Sequence, residues 1–159
     1  MLKLFFLIIV TFFSVLNAAD GITELKFNSI HFIATHGNAT VGNLSLNHQG
    51  NRLKASPGEK IFARLHFFYD SNFVPPTSLN QILIGFSELG AQKCIYNQVG
   101  YLCGEGDASF FLQAPSCCGV YQIRFRDAQA YTPEDAVHHW WDVNGEPGSE
   151  STIGELIVE

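Results

Sequence analysis

Turn-forming residues recur roughly every 8–15 residues after residue 20 and divide the chain into short segments rich in β-branched and aromatic residues. The clearest of these segments are residues 60–70, 81–86 and 152–158. Parallel strands would need a crossover of a dozen or more residues between them, and no repeat of that kind is present. The pattern therefore favours a mainly β, antiparallel β-sandwich.

The segment 60–70 predicts the most definite strand, although its apolar positions are irregular. Phe62, Leu65, Phe67 and Tyr69 do not keep one strict two-residue register. This irregularity predicts either a β-bulge or a strand that is covered on both faces.

One short helix is expected between residues 134 and 142. Thr132 is a suitable N-cap, and Pro133 suits the first helical position. Asn144 and Gly145 can end the helix.

The N-terminus has the three-part layout of a secretory signal. Lys3 gives a positive start, residues 4–16 form an uncharged apolar run of 13 residues, and Ala18 and Ala19 suit a signal peptidase. The alternative, a retained anchor, would need about 20 apolar residues, and Asp20 ends the run too early. We therefore predict a signal peptide at residues 1–18 and a secreted domain at 19–159, extracellular or periplasmic, with no membrane span in the mature chain.

The net charge argues against several partners. It is −6 for the whole chain and becomes −7 without residues 1–18, because Lys3 leaves with that segment. Nucleic acid and anionic membranes recruit basic surfaces, so neither is an expected partner.

Export makes disulfides the default state of the four cysteines. Cys94 and Cys103 flank what reads as a hairpin, and a bond across it is the favoured pairing. With that pairing, the adjacent Cys117 and Cys118 either form a strained disulfide with each other or stay partly reduced. The two other pairings would join both arms of the hairpin to the following loop. The connectivity stays open at this point. The absence of a C-x-x-C pair argues against a zinc site.

Two triplets are glycosylation acceptors in a eukaryote, at Asn38 and Asn43.

The most unusual segment is the candidate helix around residues 138–142. His138 and Asp142 stand at the i, i+4 spacing of a metal pair, but a third ligand would have to come from His36 or His66, so a surface hydrogen bond is the favoured interpretation and no metal is predicted.

Aromatic residues of the same region suit stacking on sugar rings or packing in the core. Adjacent tryptophans on a helix cannot both point the same way, which leaves room for one to be exposed. The candidate ligand-binding residues are Tyr131, His138, His139, Trp140, Trp141 and Asp142. A second candidate, the alternating pair Arg124 and Arg126, is expected to lie on a solvated sheet face.

Three segments together resemble secreted immunoglobulin-like β-sandwich modules. These are Ser-Pro-Gly-Glu-Lys-Ile at 56–61, the strand, Ala-Pro, Gly-x-Tyr and strand unit at 111–125, and the last strand at 154–158. The resemblance implies a fold, which serves adhesins, carbohydrate binders, chaperones and spacers alike.

No catalytic motif is present: the chain has no G-x-S-x-G elbow, H-E-x-x-H, Walker loop or S-x-x-K. We therefore predict a non-catalytic binding module that recognises a glycan or a cell-surface protein and needs no cofactor. The alternatives are a hydrolase or thiol-redox enzyme with dispersed site residues, and a structural exported protein. The sequence leaves the oligomeric state open.

Overall fold

The computed structural model describes residues 33–70, 79–99, 103–130, 139–141 and 145–159. The predicted signal peptide at 1–18 lies outside these residues. The strands in chain order are β1 (Ile33–His36), β2 (Ala39–Leu46), β3 (Arg52–Ala55), β4 (Lys60–Asp70), β5 (Leu79–Phe86), β6 (Gly90–Val99), β7 (Cys103–Gln113), β8 (Gly119–Ala130) and β9 (Thr152–Val158).

The described residues form two sheets. The front sheet has the strand order β1-β2-β4-β7, and the back sheet has the order β3-β9-β8-β5-β6. Every neighbouring pair is antiparallel except β3 and β9, which are parallel. The prediction of a mainly β fold is confirmed.

The main core lies between the sheets and draws on both. From the front sheet it takes side chains such as Leu65 and Tyr69, and from the back sheet Ile84, Phe86 and Phe125. Because all of these apolar side chains leave water when the sheets pack face to face, the two sheets stabilise each other.

The strand β4 alternates strictly and has an exposed outer face, so both explanations of its irregular pattern, a bulge and a strand covered on both faces, are wrong. Its inward positions are all buried, whereas Phe62 and the other even-numbered residues lie on the outer face. It pairs with β7 over eleven residues without a register shift. The irregularity read from the sequence arose because Phe62, an apolar residue of the outer face, was counted as a core position, whereas the inward residues Ile61 and Ala63 were not.

The predicted helix is corrected to 3-10 turns within the part of the chain that is described. Of residues 134–142 the structure describes only His139–Trp141, and His139 and Trp140 have 3-10 geometry. A second 3-10 turn spans Ser149–Ser151. No helix among the described residues is long and apolar enough to cross a membrane.

Candidate functional site

The tryptophan segment lies against the outer face of the back sheet. Trp140 is fully buried and packs with Leu83 of β5 and Ala128 of β8. Trp141 is 50% exposed and lies beside Gly90, at the start of β6. Since Trp140 has no exposed ring face, it supports the fold and cannot stack on a ligand.

The other predicted contact residues are only partly described. His139 is half-buried, while Tyr131, His138 and Asp142 lie outside the described residues. Within the described part of this segment, Trp141 is the one exposed aromatic ring.

The arginine pair of β8 does not lie on a solvated face, and that expectation is wrong. Arg126 is only 4% exposed and donates to the carbonyl of Gly145 over 2.8 Å. Arg124 donates to the Pro147 carbonyl over 2.6 Å and to Glu146 over 3.1 Å. The segment at 145–147 therefore covers this face and is fastened to it by the two guanidinium groups.

The cysteines do not occupy the positions that the sequence suggested. Cys94 is on β6 in the back sheet and Cys103 is on β7 in the front sheet, so the predicted hairpin between them is wrong. No disulfide joins any two cysteines of the structure. Cys117 and Cys118 are exposed in the loop between β7 and β8. Disulfide formation stays a prediction.

A cluster of charged side chains crosses the outer face of the front sheet. Arg64 and His66 project from β4, and Asp107 of β7 is the register partner of His66. Arg64 Nη2 donates to Asp107 Oδ2 over 2.8 Å, and His66 Nδ1 lies 3.2 Å from Oδ1. These hydrogen bonds from Arg64 and His66 hold the pKa of Asp107 below its usual range, so this carboxylate is ionised at neutral pH.

The cluster borders an open cleft of about 410 Å³. Its other walls include Asn43, Ser45 and His48. The pairing of β2 with β4 shifts register between Gly42 and Ser45, and Asn43 and His48 both have positive φ angles, 55° and 65°. The shift and the left-handed residues bend the chain around the cleft and leave polar side chains at its border.

Aromatic rings continue the same face beside the cleft. Phe62 of β4 and its register partner Phe111 of β7 make an edge contact at 5.6 Å between ring centroids, and His48 lies 5.2 Å from Phe62. Phe111 is 52% exposed, and the Lys60 ammonium lies 4.1 Å from its ring centroid. We call this surface, from Phe62 and Phe111 to Arg64, His66 and Asp107, the front face.

Sequence reasoning missed the front face. Strict alternation along β4 places Phe62, Arg64 and His66 on the same side of the strand. This alternation is the feature of the sequence from which part of the front face could have been predicted. The pairing with Phe111 and Asp107 depends on the register with β7, which a single sequence does not give.

The two glycosylation triplets have different surroundings. Asn43 is exposed and borders the cleft. Asn38 is half-buried, and its backbone N–H donates to Asp127 Oδ2 over 2.8 Å. Of the two, Asn43 therefore leaves more room for a glycan.

A second polar cluster, around Asp127, is partly buried between the two sheets. Asp127 of β8 accepts the hydrogen bond of Asn38 and a second one, over 3.1 Å, from the Tyr69 hydroxyl. Burial raises the pKa of Asp127, and burial together with the nearby Asp127 charge raises the pKa of Tyr69. Its hydrogen bonds connect the front sheet to the back sheet, so we assign the cluster to the fold.

No group of three or more histidine, cysteine, aspartate or glutamate side chains within the described residues is arranged to hold a metal ion. Comparison of the chain with protein-family models, with curated proteins and with solved structures found no match. Its function has to be inferred from the geometry of its own residues.

Proposed function

We propose that this protein is a secreted, non-catalytic binding module that recognises a glycan through the front face. The observation that carries the proposal is the pair of partly exposed aromatic rings, Phe62 and Phe111, beside a polar cleft. A sugar ring has an apolar face that can cover an aromatic ring and hydroxyl groups at its rim that need hydrogen-bond partners. The front face offers both kinds of contact next to each other.

The polar side of the contact is supplied by side chains that are already oriented. Arg64 and Asp107 hold each other in place, and each keeps further hydrogen-bonding capacity for a hydroxyl group. Prior orientation lowers the entropic cost of binding. The cleft is open to solvent, which suits a side-on oligosaccharide better than a small enclosed substrate.

The sandwich is proposed to be of the immunoglobulin-like type. The strand order β2-β4-β7 corresponds to A-B-E, and β9-β8-β5-β6 corresponds to G-F-C-C′. Tyr121, near the start of β8, donates its hydroxyl to the Cys117 carbonyl over 2.8 Å, as in a tyrosine corner. Two residues later stands Ile123, where antibody domains have a cysteine, so the support concerns topology and not an antibody-type disulfide.

One observation favours a second candidate, a hydrolase. The contact of Asp107 with His66 Nδ1 leaves Nε2 available as a general base, and Ser45 lies on the same cleft. We rank this candidate second because both ion-paired groups are about half exposed to water, which weakens electrostatic stabilisation of a transition state. A screen with ester and amide substrates, repeated with His66→Gln, separates the two: turnover that disappears in the variant would favour the enzyme.

The binding proposal is tested on a glycan array with the purified protein and matched variants. A glycan that binds the native protein should bind Phe111→Ala and Arg64→Ala at least about fivefold more weakly, as expected for residues central to an interface. Trp141→Ala is the control, since it removes an exposed ring on the opposite side of the molecule and should bind normally. An array with no ligand, or a ligand lost only in Trp141→Ala, would contradict the proposal.

A further inference from the structure

The four edges of the two sheets differ in how well they are protected against pairing with another strand. Within the described residues, the edge strands β1 and β3 have four residues each. The edge strand β6 has two register shifts against β5 and carries the exposed Lys93. Short strands, bulges and lysines are the usual means by which proteins block edge-to-edge association.

The fourth edge, β7, has none of these protections. It is eleven residues long, pairs with β4 without a shift, and contains no lysine, arginine or proline. No described strand pairs with its other side. A long, regular edge of this kind presents a row of backbone donors and acceptors to a further strand.

We propose that the partner of this edge is a second copy of the chain, paired antiparallel through β7 about a two-fold axis at Ala108. Such an interface is self-complementary, because a residue before Ala108 in one copy faces the residue at the same distance after Ala108 in the other copy. It would join the two front sheets into one continuous sheet of eight strands.

The inward side chains of β7 fit this arrangement by size. Inward positions in its first half are Gly104, Gly106 and Ala108, and those in its second half are Phe110 and Leu112. With Ala108 opposite Ala108 of the second copy, Gly106 faces Phe110 and Gly104 faces Leu112. Small residues therefore meet large ones along the whole interface, and no two bulky inward side chains are opposed.

The outward side chains fit by charge. Glu105 would face Phe111 of the second copy, and the Lys60 ammonium lies 4.1 Å above that ring centroid. This brings a carboxylate and an ammonium together twice, once on each side of the axis. The remaining acidic residue, Asp107, already has its charge offset by Arg64.

The test is sedimentation velocity of the purified protein over a wide concentration range. The native protein should show a concentration-dependent monomer–dimer equilibrium. Glu105→Lys and Lys60→Glu should each weaken the dimer about tenfold, because each creates two like-charged contacts across the strands. The double variant restores opposite charges and should recover most of the affinity.

Lys93→Glu is the matched control, since it makes the same charge change at the β6 edge and should leave the equilibrium unchanged. A protein that is monomeric at every concentration would overturn the proposal. So would a dimer that neither single substitution weakens, because its interface would lie elsewhere. Circular dichroism of each variant distinguishes loss of the dimer from loss of the fold, and neither readout depends on glycan binding.

Discussion

Replacement of Trp140 by alanine separates a structural tryptophan from a ligand-binding one. A fully buried tryptophan removes up to about 250 Å² from water, which at about 25 cal/mol/Å² gives an upper value of about 6 kcal/mol. Compactness of the unfolded chain lowers this by about 10–40%. No described residue accepts a hydrogen bond from Trp140 Nε1, so its removal also relieves a desolvation cost of about 1 kcal/mol. We expect Trp140→Ala to lower the free energy of unfolding by about 3–4 kcal/mol.

Urea denaturation followed by far-ultraviolet circular dichroism measures this loss as a lower midpoint at an unchanged m-value. Trp141→Ala is the control: its side chain is 50% exposed, so it should cost about half as much. A loss below about 1 kcal/mol for Trp140→Ala would refute the assignment of this side chain to the back-sheet packing.

Three further predictions concern the polar and glycine contacts. Gly37→Ala should destabilise the protein more than Gly50→Ala, because both glycines have positive φ but an added Cβ collides with Asp127 only at Gly37. Equal losses of stability in urea denaturation would show that the close approach of Asp127 to Gly37 does not matter. The raised pKa of Asp127 means that the folded protein binds this proton more tightly than the unfolded chain does. The free energy of unfolding should therefore fall as pH rises from about 3.9, the ordinary pKa of aspartate, through the raised pKa of Asp127. Asp127→Asn should abolish this pH dependence in a series of unfolding curves. Arg124→Ala should lower the free energy of unfolding by about 2 kcal/mol, because the Arg124 side chain is only 13% exposed and its ion pair is mostly buried. Arg64 is 59% exposed, so Arg64→Ala should lower it by less than about 0.5 kcal/mol. Similar losses for the two variants would contradict the burial of Arg124 under the segment at 145–147.

The strands were largely predictable because they depend on local pattern. The segments 60–70 and 152–158 coincide with β4 and β9, and 81–86 lies within β5. Their boundaries follow from turn residues that favour left-handed or fixed backbone angles, such as Gly58 with its φ of 73°.

Contacts between distant strands were not predictable in the same way. Cys94 and Cys103 are nine residues apart but belong to different sheets, because the chain crosses from one layer to the other between them. Arg124 and Arg126 looked solvent-facing, since a strand pattern does not reveal that a later segment at 145–147 folds back over it. The two tryptophans are typical of both a core and a binding platform, and burial, which decides between these roles, depends on tertiary packing.

The front face illustrates the same division. The alternation of β4 places Phe62, Arg64 and His66 on one side of a strand, and this much lies in the sequence. Their combination with Asp107 and Phe111 depends on the pairing of β4 with β7, and these register partners are about 40–50 positions further along the chain.

The central claim is that the front face binds glycans, and the most direct measurement is nuclear magnetic resonance of the labelled protein titrated with a glycan that it binds. We predict that the amide and aromatic shifts of Phe62, Arg64, Asp107 and Phe111 change saturably, while those of Trp141 stay constant. Shift changes confined to Trp141 and the neighbouring β6, with the front face unaffected, would contradict the account.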